Sequence, residues 1–324
     1  MFSIGRTLSF AAAAVIAAVS LTACTDGKKK SDDGRLSIVC TSFSEYDWTR
    51  NIIGSTDSAD VTYLLKSGVD MHNYQPSTED MLAVSDCDML IYVGGSSEVW
   101  VDSALKNKRN DDMKVLRLFD VLGQDIKEEE LKDGMEEDED EEDGGKEYDE
   151  HIWLSLKNAE LLCGSICEAL CKKDPSNADS YRSNLESYTQ KLNALDSEYA
   201  EMAENASVKT VLFGDRFPFR YLVDDYGIDY YAAFPGCSAE TAASFETVAV
   251  LAQKVDKLGL DSVFIIENSD DSIARSIISS SENHNASIEV LDSIQSVTAA
   301  EAESGTTYLS IMEKNLETLK KVLD

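Results

Sequence analysis

Short apolar runs rich in β-branched residues alternate along this chain with longer segments whose apolar positions recur every three or four residues. The first run, LSIVCTS at 36–42, is apolar on consecutive positions and predicts a strand buried on both faces. Residues 44–53 follow as a helix, with Trp48, Ile52 and Ile53 on one side. Residues 61–65, 89–93 and 115–118 predict three further strands, and Ser77 ahead of Thr78-Glu79-Asp80 is placed to cap a helix between them. A helix covers about 157–171. Strand and helix in this rhythm predict a mostly parallel sheet covered on both faces.

The second half repeats the rhythm. Asp174-Pro175-Ser176-Asn177 opens a helix that runs to about Ala203 without glycine or proline. Tyr181, Leu185, Tyr188, Leu192, Leu195 and Tyr199 form one apolar stripe along it. About 28 residues at 1.5 Å each span roughly 42 Å, longer than a small domain. After it come strands at 210–214, 230–234, 262–267 and 288–291, and helices at 219–226, 245–258, 272–280 and 307–323. The expected fold class is therefore α/β: two Rossmann-like lobes with mostly parallel sheets, joined by a long spine helix. The boundaries read as residues 1–34 for an address and tether, 35–174 for the N-terminal lobe, 175–206 for the spine and 207–324 for the C-terminal lobe.

The start of the chain has a different character. Residues 8–21, LSFAAAAVIAAVSL, are apolar and small, too few to span a bilayer but the length of a signal-peptide core. They end in Leu21-Thr22-Ala23-Cys24, which resembles a bacterial lipobox, with Cys24 as the lipidated residue. The plainer alternative is an ordinary signal peptide with a chance cysteine. Residues 25–35, TDGKKKSDDGR, read as a flexible tether whose lysines suit anionic headgroups. The expected location is the cell membrane, lipid-anchored and facing out of the cytoplasm.

Charge narrows the partners. The 324 residues carry a formal net charge of −32, which repels phosphate and argues against nucleic acid. Residues 127–150 hold 15 acids and 3 lysines, with eight acids in a row at 136–143, and predict a disordered surface loop. It is either a loose collector of cations or a solvated insertion. Of the six cysteines after Cys24, Cys163, Cys167 and Cys171 share a helix face and read as small buried hydrophobes. No CxxC pair of the kind that marks a thiolate metal site is present.

Only three histidines occur. His72 lies in GVDMHNYQPS, a loop between a strand and a capped helix, where open α/β sheets gather ligands. His151 stands between the acidic run and the next folded element, and Asp292 follows the strand at 288–291. His284, in the polar turn SENHN, reads as solvated.

Several motifs in order carry a resemblance. GVDMHNYQPSTEDM, SDCDMLIYVGGSSEVWVDS, DEHIWLSLKNAELL, the Phe219-Arg220-Tyr221-Leu222 segment with Tyr226-Gly227, and Asp292-Ser293 followed by YLSIMEKNL are similar to the zinc- and manganese-binding solute-binding lipoproteins of bacterial ABC importers. The resemblance covers nearly all of the chain after the tether. It implies the metal-type periplasmic-binding-protein fold, with His72, His151 and Asp292 at the first, second and fourth ligand positions. It also implies a monomeric, non-enzymatic receptor that carries a divalent metal ion to the permease subunits of the importer. One departure stands out: where the family has a histidine or glutamate, this chain has Arg216, which offers no lone pair. Three protein ligands plus water, a borrowed Asp215 or Glu240, or an Arg216 that reaches a carboxylate all remain open. Two imidazoles and a carboxylate favour zinc, with manganese next. The competing classes are a metal-dependent hydrolase on the same ligands, which lacks a recognisable base, and a surface adhesion scaffold with a decayed site.

Overall fold

A computed structural model describes residues 34–136, 147–238 and 242–324. Cys24 and the tether before Gly34, most of the acidic octet, and Glu240 lie outside the described residues. The N-terminal lobe runs β1 (Leu36–Cys40), α1 (Phe43–Ile53), β2 (Ala59–Tyr63), α2 (Thr78–Asp86), β3 (Met89–Tyr92), α3 (Trp100–Lys106), β4 (Lys114–Arg117), α4 (Leu118–Leu122) and α5 (Leu156–Lys173). The spine is α6 (Ala178–Asn205). Beyond it come β5 (Thr210–Phe217), α7 (Arg220–Tyr226), β6 (Asp229–Pro235), α8 (Phe245–Leu258), β7 (Ser262–Ile266), α9 (Ser272–Ser280), β8 (Ser287–Leu291), α10 (Ala299–Glu303) and α11 (Tyr308–Leu323).

Each lobe holds a four-stranded sheet, ordered β2-β1-β3-β4 and β6-β5-β7-β8, and every pairing is parallel. The central strands are apolar along their length because helices cover both faces: all of β3 and all of β7 are buried. Ser77 caps α2 as expected, accepting from Asp80 N while the Asp80 carboxylate accepts from Ser77 N.

The spine helix touches both lobes. Asn184 Nδ2 donates to Ile52 O at 3.0 Å in the N-terminal lobe, and Tyr226 Oη donates to Asp196 at 2.9 Å from the C-terminal one. Its buried stripe of Tyr181, Tyr188, Leu192, Leu195 and Tyr199 lies against the core, with Leu185 half-buried. The last helix, α11, crosses back: Tyr308 Oη donates to Trp153 O at 2.7 Å and its ring meets Trp48 edge-on. A direct inter-lobe tie comes from Trp153 Nε1, which donates to Ser293 O at 2.9 Å.

One expectation needs correction. The acidic run is not disordered throughout residues 127–150. Its two ends pair with each other through Glu129 N to Glu147 O and Asp149 N to Lys127 O, both 2.9 Å, and Glu136 N donates to Ala233 O at 2.9 Å. Lys127 and Lys132 also form ion pairs with Asp224 and Asp229 of the C-terminal lobe. Composition alone misses this order because the acids at the ends have backbone donors and cations from a distant part of the chain. The six cysteines are all free thiols, with Cys163 and Cys167 buried in the helix face where the stripe placed them. Among the described residues no helix is long and apolar enough to cross a membrane.

Candidate metal centre

The loops at the C-terminal ends of the strands of both lobes face a common cleft, the usual ligand position of open parallel sheets. After β2 the chain makes a one-turn helix, Met71–Asn73. Asp70 caps it by accepting from His72 N at 2.9 Å, which fixes the histidine backbone. His72 Nδ1 then lies 2.7 Å from Ser97 Oγ, in the loop after β3. The second histidine is held by the end of the acidic run. Asp149 Oδ1 accepts from His151 N at 2.8 Å and lies 2.9 Å from its Nδ1. With both Nδ1 atoms engaged, the two Nε2 atoms face one another at 3.2 Å. Metal-binding histidines are held in this way, one ring nitrogen tied to oxygen and the other presented.

A third donor group comes from the C-terminal lobe. Cys237 follows β6, and one donor atom from each of His72, His151 and Cys237 lies within 4.8 Å of the other two. The turn before it depends on glycine: a Cβ on Gly236 would stand 2.9 Å from Phe217 O and 3.2 Å from His151 Cε1. Cys237 N donates to Glu129 Oε1 at 2.9 Å, tying this turn to the acidic segment.

The electrostatics suit a cation. Asp149 and Glu150 are buried beside His151, and among the described residues Asp149 Oδ2 and Glu150 Oε2 have no hydrogen-bond partner. Burial, and then the charge of Asp149, push the Glu129 carboxyl up to about 7. Burial and the neighbouring His151 push His72 down to about 3, so its imidazole is neutral at pH 7. Burial works to lower the His151 value as well, but the charge and hydrogen bond of Asp149 outweigh it and the net shift is upward. The two Nε2 atoms that face one another are the ones a metal ion would take, in competition with protons.

The remaining expected residues are placed as follows. Arg216 reaches a carboxylate: its Nη2 is ion-paired with Asp70 across the cleft, and Nη1 donates to Ser238 O at 3.4 Å. Asp215 accepts from Arg216 N at 2.8 Å and Ile266 N at 3.1 Å, so both oxygens are engaged within its own lobe. Asp292, half-buried after β8, accepts from Ile294 N at 2.8 Å and stands outside the His72, His151 and Cys237 group. Its neighbour Glu267 is pushed up to about 7 by burial and by Asp292. Ile294 adopts a φ of 66°, a left-handed conformation that costs a β-branched residue about 1–3 kcal/mol. His284 is exposed, with its Nδ1 3.3 Å from Ile278 O. Beside the histidine pair, a cavity of about 370 Å³ opens between the lobes, lined by Asp70, Asn73, Arg216, Ser238, Glu267 and Asp270 among others.

Sequence reasoning missed Cys237, Asp149 and Ser97. The available signal for the first was a cysteine directly after Pro235-Gly236 at a strand end, the same kind of position that singled out His72 and Asp292.

Known proteins agree with this architecture. The family described as zinc-uptake complex component A, periplasmic, matches residues 38–322. The zinc-binding lipoprotein AdcA of Streptococcus pneumoniae serotype 4 is 31% identical over 317 residues, covering 96% of this chain and 60% of AdcA. The manganese ABC transporter substrate-binding lipoprotein PsaA of Streptococcus anginosus is 30% identical over 318 residues, covering 95% of this chain and 96% of PsaA. The crystal structure of the Zn(II)-bound ZnuA-like domain of Streptococcus pneumoniae AdcA superposes with a TM-score of 0.70 at 29% identity, covering 90% of this chain and 100% of that domain. The chain thus spans about 60% of the length of the AdcA relatives it matches. With the family match running through both sheets and the spine, the chain belongs to the zinc-uptake complex component A family.

Proposed function

We propose that this protein is an extracytoplasmic receptor that captures a divalent transition metal between its lobes and delivers it to the membrane permease of an ABC importer. The observation that carries the reading is the pair of imidazoles with Nε2 atoms 3.2 Å apart, each ring tied through Nδ1. A tetrahedral ion with Zn–N bonds of about 2.0–2.1 Å needs its two nitrogens about 3.3–3.4 Å apart, close to that spacing. His72 and His151 are the proposed ligands, with Asp292 as a carboxylate ligand from the C-terminal lobe. Zinc is the favoured cargo and manganese the next, in line with the relatives named for zinc binding and manganese transport. The metal is cargo here, and no catalytic role is assigned to it. We place the receptor at the outer face of the membrane on a lipid attached at Cys24. A Cys24→Ala form that stays membrane-bound with the parent's mature mass would remove that part of the reading.

Calorimetric titration of zinc into the soluble form tests the receptor. His72→Ala and His151→Ala should each weaken binding by about a hundredfold or more, since loss of a supporting partner alone costs about 10–100-fold. His284→Ala should bind as the parent does. Parent-like affinity in both ligand variants would overturn the assignment.

A further inference from the structure

We infer that the Cys237 thiolate is a further ligand of this centre, adding a sulfur to the two imidazoles and the Asp292 carboxylate, so that zinc is favoured and manganese is discriminated against. The inference rests on the receptor reading and goes further, because it names the donor that sets the cargo. His72 and His151 belong to the N-terminal lobe and Cys237 to the turn after β6 in the C-terminal one, so an ion among them fastens the lobes together.

The geometry asks for little movement. With Zn–N near 2.05 Å and Zn–S near 2.3 Å, a tetrahedral ion places sulfur about 3.6 Å from each nitrogen. The donor atoms already lie within 4.8 Å of one another, so the sulfur side closes by at most about 1.2 Å. Both rings are oriented by Ser97 and Asp149, and the cysteine backbone is tied to Glu129. Gly236 lets this turn come within reach of His151, where any Cβ would collide. The other cysteines among the described residues do not compete: Cys40, Cys87, Cys163 and Cys167 are packed in the core, and Cys171 lies on α5 with its Sγ 4.0 Å from that of Cys167. Nor do Arg216 and Asp215, since Arg216 is bound to Asp70 and Asp215 to backbone amides.

An independent observation that suits a cation is the pair of buried carboxylates beside the trio. Asp149 uses Oδ1 on His151 and Glu150 uses Oε1 on Ser96 and Ser97, but among the described residues Asp149 Oδ2 and Glu150 Oε2 are buried without a hydrogen-bond partner, an acceptor capacity that a cation nearby would balance. Thiolate is a soft donor that suits zinc, whereas manganese favours carboxylate, carbonyl and water. A site with sulfur in place of one oxygen therefore separates two ions that a histidine and carboxylate site holds more evenly.

Cobalt and zinc report on the sulfur directly. The cobalt-loaded parent should show an intense near-ultraviolet sulfur-to-cobalt charge-transfer band, and X-ray absorption of the zinc-loaded parent should show a Zn–S distance of about 2.3 Å. Cys237→Ser should lose the band and weaken zinc binding by roughly tenfold or more, while manganese affinity changes by less than about threefold. The parent measurements need no variant, so a misfolded Cys237→Ser leaves the test intact. A parent without the band and without a Zn–S shell overturns the inference. If the histidine variants lose zinc while the parent shows no sulfur, the receptor reading stands and the cysteine ligand falls. If the parent binds neither metal, both fall.

Discussion

Replacing Arg216 with glutamine isolates the ion pair that joins the lobes across the cleft. Arg216 sits near the end of β5 and Asp70 just ahead of the His72 turn, and each side chain is 14% exposed. Removing one member of a buried pair costs about 3–5 kcal/mol, because the survivor is left charged and out of water. The residual exposure lets water screen Asp70, which brings the expected loss to about 2–3 kcal/mol. For a chain of this size that corresponds to a fall in Tm of about 5 °C. Asp70→Asn removes the other member but keeps an acceptor for His72 N. The double variant leaves neither charge stranded, so it should lose less than the two singles together, by at least about 1 kcal/mol. Urea unfolding of all four proteins at pH 7, followed by tryptophan fluorescence, measures this coupling. Additive losses within about 0.5 kcal/mol would refute the buried bridge. The same reasoning sets the fate of Arg216→His: the new imidazole leaves Asp70 without its partner, so stability falls and zinc affinity stays flat or drops.

Two further outcomes follow from groups around the centre. Asp149→Asn keeps an oxygen for the His151 ring but removes the charge behind it, so zinc affinity in a competition titration should fall by about 10–100-fold, and an unchanged value would mean the contact is incidental. Glu98 is buried, accepts from Gly94 N at 2.6 Å, and is pushed up to about 7 by burial. Its pKa is thus higher folded than unfolded, so between about pH 4.5 and 7 the unfolded chain gives up this proton while the folded chain keeps it, and stability falls as pH rises, by roughly 3 kcal/mol for this group. Glu98→Gln should flatten that slope in melting curves taken at pH 5 and pH 7.5; parallel curves for parent and variant would contradict the assignment.

Periodicity was most informative where an element is long enough to show it. The stripes of α8 and α9 lie at residues 245–258 and 272–280, the bounds the pattern predicted, because each has several apolar turns and a clear polar face. Helices α3, α4 and α10, of seven, five and five residues, hold at most two turns and gave no such signal. The histidines were legible because His72 precedes a capped helix and His151 ends a charge run, both positions set by neighbours in sequence. Cys237 was not, since its meeting with His151 depends on the packing of β6 and its turn against the acidic segment. The same holds for Arg216: its residue type excluded it as a ligand, but only the packing of the lobes gives it Asp70 as a partner.

Anomalous diffraction at the zinc edge, from crystals of the zinc-loaded protein, tests the central claim most directly. The account predicts a single strong peak in the cleft, about 2.0–2.1 Å from Nε2 of both His72 and His151. A strong peak only among surface carboxylates, with the two imidazoles still in contact with each other, would contradict it.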